Sequence, residues 1–129
     1  MVRASADGKE AAVTGHELSA EHSSMAREVD AAVTQPQTRK FVRVEVVAVV
    51  NPQKVPISFL VHYRAPQGAP MPLGMFSLFP PDRPGTFIVA TQGRLRQGGT
   101  VTVQLVPATE KADLQGVRVR LGAVSFTRE

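Results

Sequence analysis

Six prolines, Pro66, Pro70, Pro72, Pro80, Pro81 and Pro84, crowd the stretch from Ala65 to Pro84 and limit what it can form. A proline inside a helix deletes a hydrogen bond and clashes with the preceding turn, and inside a sheet it is confined to edges, ends and bulges. The apolar run between them, Leu73, Met75, Phe76, Leu78 and Phe79, is too short for a helix, and a second short run follows at Phe87 to Ala90. The stretch Met71 to Val89 therefore reads as strand, turn, strand, with Pro80 to Gly85 leaving the sheet across an edge or an end of the fold. These two strands are expected at the centre of an all-β domain.

Other segments carry the same period. Phe41 to Val50 holds six valines in ten residues, which favours a pleated surface and disfavours a helix. Its alternation, Val42, Val44, Val46, changes phase at Val47 and Val49, which predicts a bulge or burial on both faces. Asn51 to Lys54 makes a turn, and Ile57, Phe59, Val61 and Tyr63 alternate through the next strand. A Pro/Gly loop covers Ala65 to Pro72. Gln97-Gly98-Gly99 is a turn before Val101, Val103 and Leu105, and Pro107 to Gly116 is a polar loop. Val117, Val119 and Leu121 open the last strand, with a phase change at Gly122 leading to Val124 and Phe126. From His16 to Val33 two periods compete: Leu18, Met25, Val29 and Val33 suit a helix, while Met25, Val29, Ala31 and Val33 suit one face of a strand. Thr34 to Lys40 is a linker or turn. Residues 1–15 read as a flexible arm, and 16–129 as one antiparallel β-sandwich of six to eight strands, Ig-like or jelly-roll-like. Its expected core includes Val44, Val46, Phe59, Val61, Phe76, Leu78, Val103, Leu105 and Val119.

A chain of 129 residues can bury a real core without disulfides or a structural metal, and it contains no cysteine. No apolar run approaches the length of a membrane span, and no basic-then-apolar start suggests a signal peptide, so the expectation is a soluble chain, cytoplasmic by default. The net charge of +4 is uneven: residues 1–40 hold five basic and six acidic side chains, and 41–129 hold ten and five. Its arginines alternate singly with apolar residues, as in Val117-Arg118-Val119-Arg120-Leu121, which is the wet face of a strand. With no tryptophan and a single tyrosine for base stacking, nucleic-acid binding is not expected.

Sites for chemistry are also missing. His16, His22 and His62 match no zinc spacing and have no cysteine or acidic cluster to complete a shell. The serines lack a nucleophile elbow, and Gly98-Gly99 lacks the helix and lysine that phosphate binding needs. No catalytic residue, cofactor or metal is assigned, and independent enzymatic activity is not expected. Asp82 and Arg83 could pair with each other or pin the proline loop.

In their order, these strand motifs resemble the C-terminal β domain of tyrosinases and polyphenol oxidases, the type 3 copper enzymes. Ala32 to Lys40 and Phe41-Val42-Arg43-Val44-Glu45-Val46 are similar to that family's short β segment, basic linker and valine-rich strand. Ile57 to Tyr63 resembles its next strand, and Gly74-Met75-Phe76-Ser77 its Gly-x-Phe-Ser strand. Thr86-Phe87, Leu105-Val106-Pro107 and the ending Gly122 to Phe126 follow in the same order, and the likeness covers about residues 16–127.

The resemblance implies a domain that packs over a copper oxidase's active-site entrance and shields it. The family's histidine-bearing catalytic domain has no counterpart in this sequence, so the activity does not carry over. The implied partner is a copper oxidase catalytic domain, and self-association stays open. Under this reading Met71, Met75 and Phe79 are candidates to plug a substrate pocket, with Asp82 and Arg83 as further contact residues, while Phe76 and Leu78 read as core. The two methionines are either soft ligands that could touch Cu(I) or ordinary packing. The alternative is a stand-alone protein-binding or assembly module unrelated to copper enzymes.

Overall fold

The computed structural model describes residues 16–29, 40–92, 95 and 98–127. Their order is β1 (His16–Ser19), β2 (Ser24–Val29), β3 (Phe41–Val50), β4 (Ile57–Arg64), β5 (Met71–Ser77), β6 (Gly85–Ala90), β7 (Gly99–Pro107) and β8 (Arg118–Thr127). The described part of the ambiguous stretch from His16 is two short strands, so the helical option falls; Ala31 and Val33 lie outside the described residues. So do the 1–15 arm, most of the linker before Lys40, and Gln97 of the glycine turn.

The strands form two antiparallel sheets of four, ordered β1-β8-β3-β6 and β2-β7-β4-β5. This is a chain doubled back on itself: β1 pairs with β8, β2 with β7, β3 with β6 and β4 with β5. The doubled ribbon is rolled so that β8 also pairs with β3 and β7 with β4. Every connection except the β4–β5 hairpin crosses from one sheet to the other, which is the winding of a jelly roll. Antiparallel alternation puts the β1–β2, β3–β4, β5–β6 and β7–β8 connections at one end of the sandwich.

This arrangement corrects the expectation for Met71 to Val89. Its two strands are not central; β5 and β6 are edge strands of opposite sheets, and the proline segment between them crosses the open side of the sandwich. Proline suits the placement of β5, since Pro72 has no N–H to donate and an edge strand has a side on which no neighbour asks for one.

The dry layer between the sheets is filled by alternate side chains. Val42, Val44 and Val46 of β3 meet Phe59 and Val61 of β4, with Val101, Val103 and Leu105 of β7 and Val119, Leu121 and Val124 of β8, all buried. Eight of the nine expected core residues are buried, and Phe76 is partly buried against them. Phe76 sits where the sandwich gapes between β5 and β6, and aromatic stacking closes the gap. Its ring lies 4.9 Å from that of Phe59 and 4.4 Å from that of Phe87, the latter pair inclined by only 10°. Beside this stack, a Cβ added at Gly74 would come within 2.8 Å of Val89 Cγ1, so only glycine lets β6 pack this close. The phase changes in β3 and β8 are real register shifts, between Val44 and Val46 and between Val46 and Ala48. At the first, the Glu45 carboxylate accepts the Ala123 N–H at 3.1 Å.

Phe59→Ala should cost about 3–5 kcal/mol, the range for a fully buried aromatic. Gly74→Ala should cost about 1–3 kcal/mol through overpacking against Val89. Urea denaturation measures both, and a Gly74→Ala protein as stable as the parent would show that the edge strands have room to part.

Candidate functional site

The β5–β6 connection is the most unusual surface feature. Leu78 is buried, and the next residue, Phe79, is 84% exposed, the most exposed of the large apolar side chains in the described structure. A single exposed apolar ring is ordinary on a protein surface; what sets this one apart is the anchored backbone that presents it. The Phe79–Pro80 peptide is cis, Pro81 and Asp82 are half-buried, and the Arg83 N–H donates to the Pro80 carbonyl at 3.0 Å to close a turn.

A second segment holds the loop from outside. Asn51, buried at the end of β3, donates from Nδ2 to the Pro81 carbonyl at 3.1 Å and to the Val55 carbonyl at 2.9 Å, while its Oδ1 accepts the Val55 N–H at 2.9 Å. One amide thus ties the β3–β4 turn to itself and to the proline loop. Lys54 in the same turn reaches across to Asp82, Nζ to Oδ2 at 2.7 Å. That hydrogen bond and the lysine charge hold the Asp82 carboxyl below its ordinary value. Of the two sequence options for Asp82, the loop is pinned, and by Lys54 rather than by a pair with Arg83. Asn51 and Lys54 were legible only as turn formers, because their loop contacts lie 30 and 28 residues away in the chain.

The other candidates lie elsewhere. Met75, 62% exposed, pairs with Leu60 on β4, and Met71, 37% exposed, starts β5 beside a shallow apolar groove of about 270 Å³ that Leu60 and His62 help to line. Six residue steps of extended strand separate Met71 from Ser77, about 20 Å, so Met71 and Phe79 cannot enter the same pocket. The five candidates form two places, a methionine-flanked groove on one sheet and a braced phenylalanine at the loop-rich end. No group of three or more His, Asp or Glu side chains is placed to hold a metal ion among the described residues. A scan against protein-family models finds none that matches the chain, and searches of curated proteins and of solved structures find no significant match.

The Lys54–Asp82 pair gives a pH test of the brace. Because the folded-state pKa is lowered, the pair stabilises the loop at neutral pH and above the ordinary aspartate value of about 3.9, and this is lost as pH falls through the lower folded value. NMR titration of the Asp82 carboxyl should show the depressed midpoint, and Lys54→Met should return it to the ordinary range. Asn51→Ala should cost about 1–3 kcal/mol, since it strands the Val55 N–H and the Pro81 carbonyl, and should speed amide exchange at Arg83.

Proposed function

We propose that this chain is a non-catalytic jelly roll that seats on a tyrosinase-like copper oxidase and covers its active-site entrance, with Phe79 as the side chain that enters. The observation that carries the reading is the presentation of Phe79: a bare aromatic ring on a backbone already fixed by Leu78 below it, prolines within the loop and the Asn51 and Lys54 contacts beside it. Binding through such a loop loses little conformational entropy, and buried aromatics are the residues that most often dominate interface energies. The choice of partner rests on the resemblance of the strand order to the C-terminal domains of those oxidases.

A stand-alone protein-binding module is the second reading, favoured by the same ring, because a braced aromatic suits any protein with a matching pocket. Inhibition of a C-terminally truncated tyrosinase-like oxidase by the purified chain separates the two. Under the first reading the chain inhibits, and Phe79→Ala weakens inhibition by about thirtyfold, the effect of losing a hot-spot aromatic. Met71→Ala and Met75→Ala should inhibit like the parent. If Phe79→Ala also inhibits like the parent, the plug assignment fails; if the parent does not inhibit at all, the stand-alone reading replaces the first.

A further inference from the structure

Among the described strands, four lie at sheet edges, β1, β2, β5 and β6, and three of them are guarded against pairing with another chain. A free edge presents unpaired N–H and C=O groups, and proteins blunt it with short strands, charges on or inside the strand, proline or bulges. β1 is four residues long and carries Glu17. β2 carries the exposed Glu28 and an inward-pointing Arg27, buried with Nη1 on the Val124 carbonyl at 2.5 Å and its guanidinium over the Phe126 ring. β5 has Pro72 and a register shift opposite Val61 and His62. The fourth, β6, reads Gly85-Thr86-Phe87-Ile88-Val89-Ala90, with no charge, no proline and a regular register along β3. Its outward side chains are Thr86, Ala90 and Ile88, the last 51% exposed.

From this asymmetry we infer that β6 is a self-association edge: two copies pair β6 to β6 antiparallel about a two-fold axis, joining their first sheets into one continuous sheet. An edge of this kind accepts an extended strand, and a second copy fits because β6 is uncharged and meets itself without repulsion. For both sandwiches to lie on the same side of the joined sheet, inward residues must face inward residues. Two such registers pair five residues of each strand, one centred on Phe87 and one on Ile88. The first is favoured by what flanks the edge. Arg43 pairs with Ile88 and Glu45 with Thr86 in the adjacent strand. Centring on Phe87 sets Ile88 against the other copy's Thr86, so that the Arg43 row of one copy runs into the Glu45 row of the other. Centring on Ile88 would align arginine with arginine. The Phe87 register also brings together the two half-buried Phe87 rings, which complete each other's cover, and β-branched Ile88 and Thr86 make good cross-strand neighbours.

An edge pairing of this length buries less than the roughly 1,200 Å² at which stable specific interfaces begin, so association is reversible and follows concentration. Sedimentation equilibrium from micromolar to millimolar chain should show a monomer–dimer equilibrium. Ile88→Lys and, independently, Thr86→Lys should raise the dissociation constant at least about tenfold, which is 1.4 kcal/mol. Ala26→Lys, at an exposed position of β2 in the other sheet, should leave it unchanged; circular dichroism confirms that each variant is folded. Since the chain lacks cysteine, mixing Thr86→Cys with Ile88→Cys under mild oxidation should give the mixed disulfide in excess over either homodisulfide. A chain that stays monomeric to millimolar concentration, a dimer that survives both β6 lysine variants or is lost with Ala26→Lys, or homodisulfides in excess would each overturn the inference.

Discussion

Three stacked phenylalanine rings hold the open side of this sandwich together. Backbone ladders join strands within each sheet, while the sheets are joined through side chains, such as Arg27 Nη1 on the Val124 carbonyl and Gln92 Nε2 on the Leu73 carbonyl among the described residues, and β5 and β6 face each other across the gap as edges. The Phe87 ring comes from one sheet, Phe76 and Phe59 from the other, and their near-parallel stack at 4.4 and 4.9 Å replaces the missing ladder with aromatic contact. The geometry of the proline loop follows, because its two strands are fixed on either side of the stack. Asn51 and Lys54 can then brace the loop from the neighbouring turn, and the Phe79 ring near its start stays in water.

Charge and burial divide the molecule in the same way. The core is almost wholly valine, leucine and phenylalanine, so it carries little instruction about partners. What could be specific is at the rim: a loop that holds an aromatic side chain outward, and an edge strand that lacks the protective features its three counterparts have. The loop takes part of its brace from the titratable Lys54–Asp82 pair, whereas the edge strand itself carries no charged side chain. Both use backbone order already established by folding, which is why small apolar surfaces there can matter more than their area suggests.

Much of the fold could be read from the sequence because β-structure writes itself with a period of two. The alternation in β3, β4, β7 and β8 identified the inward faces, and the lost phase at Val47 and Gly122 marked register shifts that are present in the β3–β8 pairing. Pairing partners were not legible, since valine alternation looks the same in a central strand and at an edge; the placement of β5 and β6 was therefore misjudged although their existence was not. The candidate site was half legible. Proline density pointed to the loop, and Phe79 was among the side chains singled out, but Met71 and Met75 stood equal to it until β5 put distance between them. Asn51 carried no local sign of its second role, because a hydrogen bond spanning thirty residues leaves no trace in either flanking sequence.

The doubled-back winding also sets the order in which the chain can gain from folding. Among the described strands, only the β4–β5 hairpin joins neighbours in the sequence. Each further pair outward closes a longer loop, until β1 meets β8 with His16 about a hundred residues from Leu121. Contacts this distant are slow to form, because their entropy must be spent before they return any stabilisation. Among the described strands, loop-closure entropy is therefore smallest for the β4–β5 hairpin and largest for the β1–β8 pair.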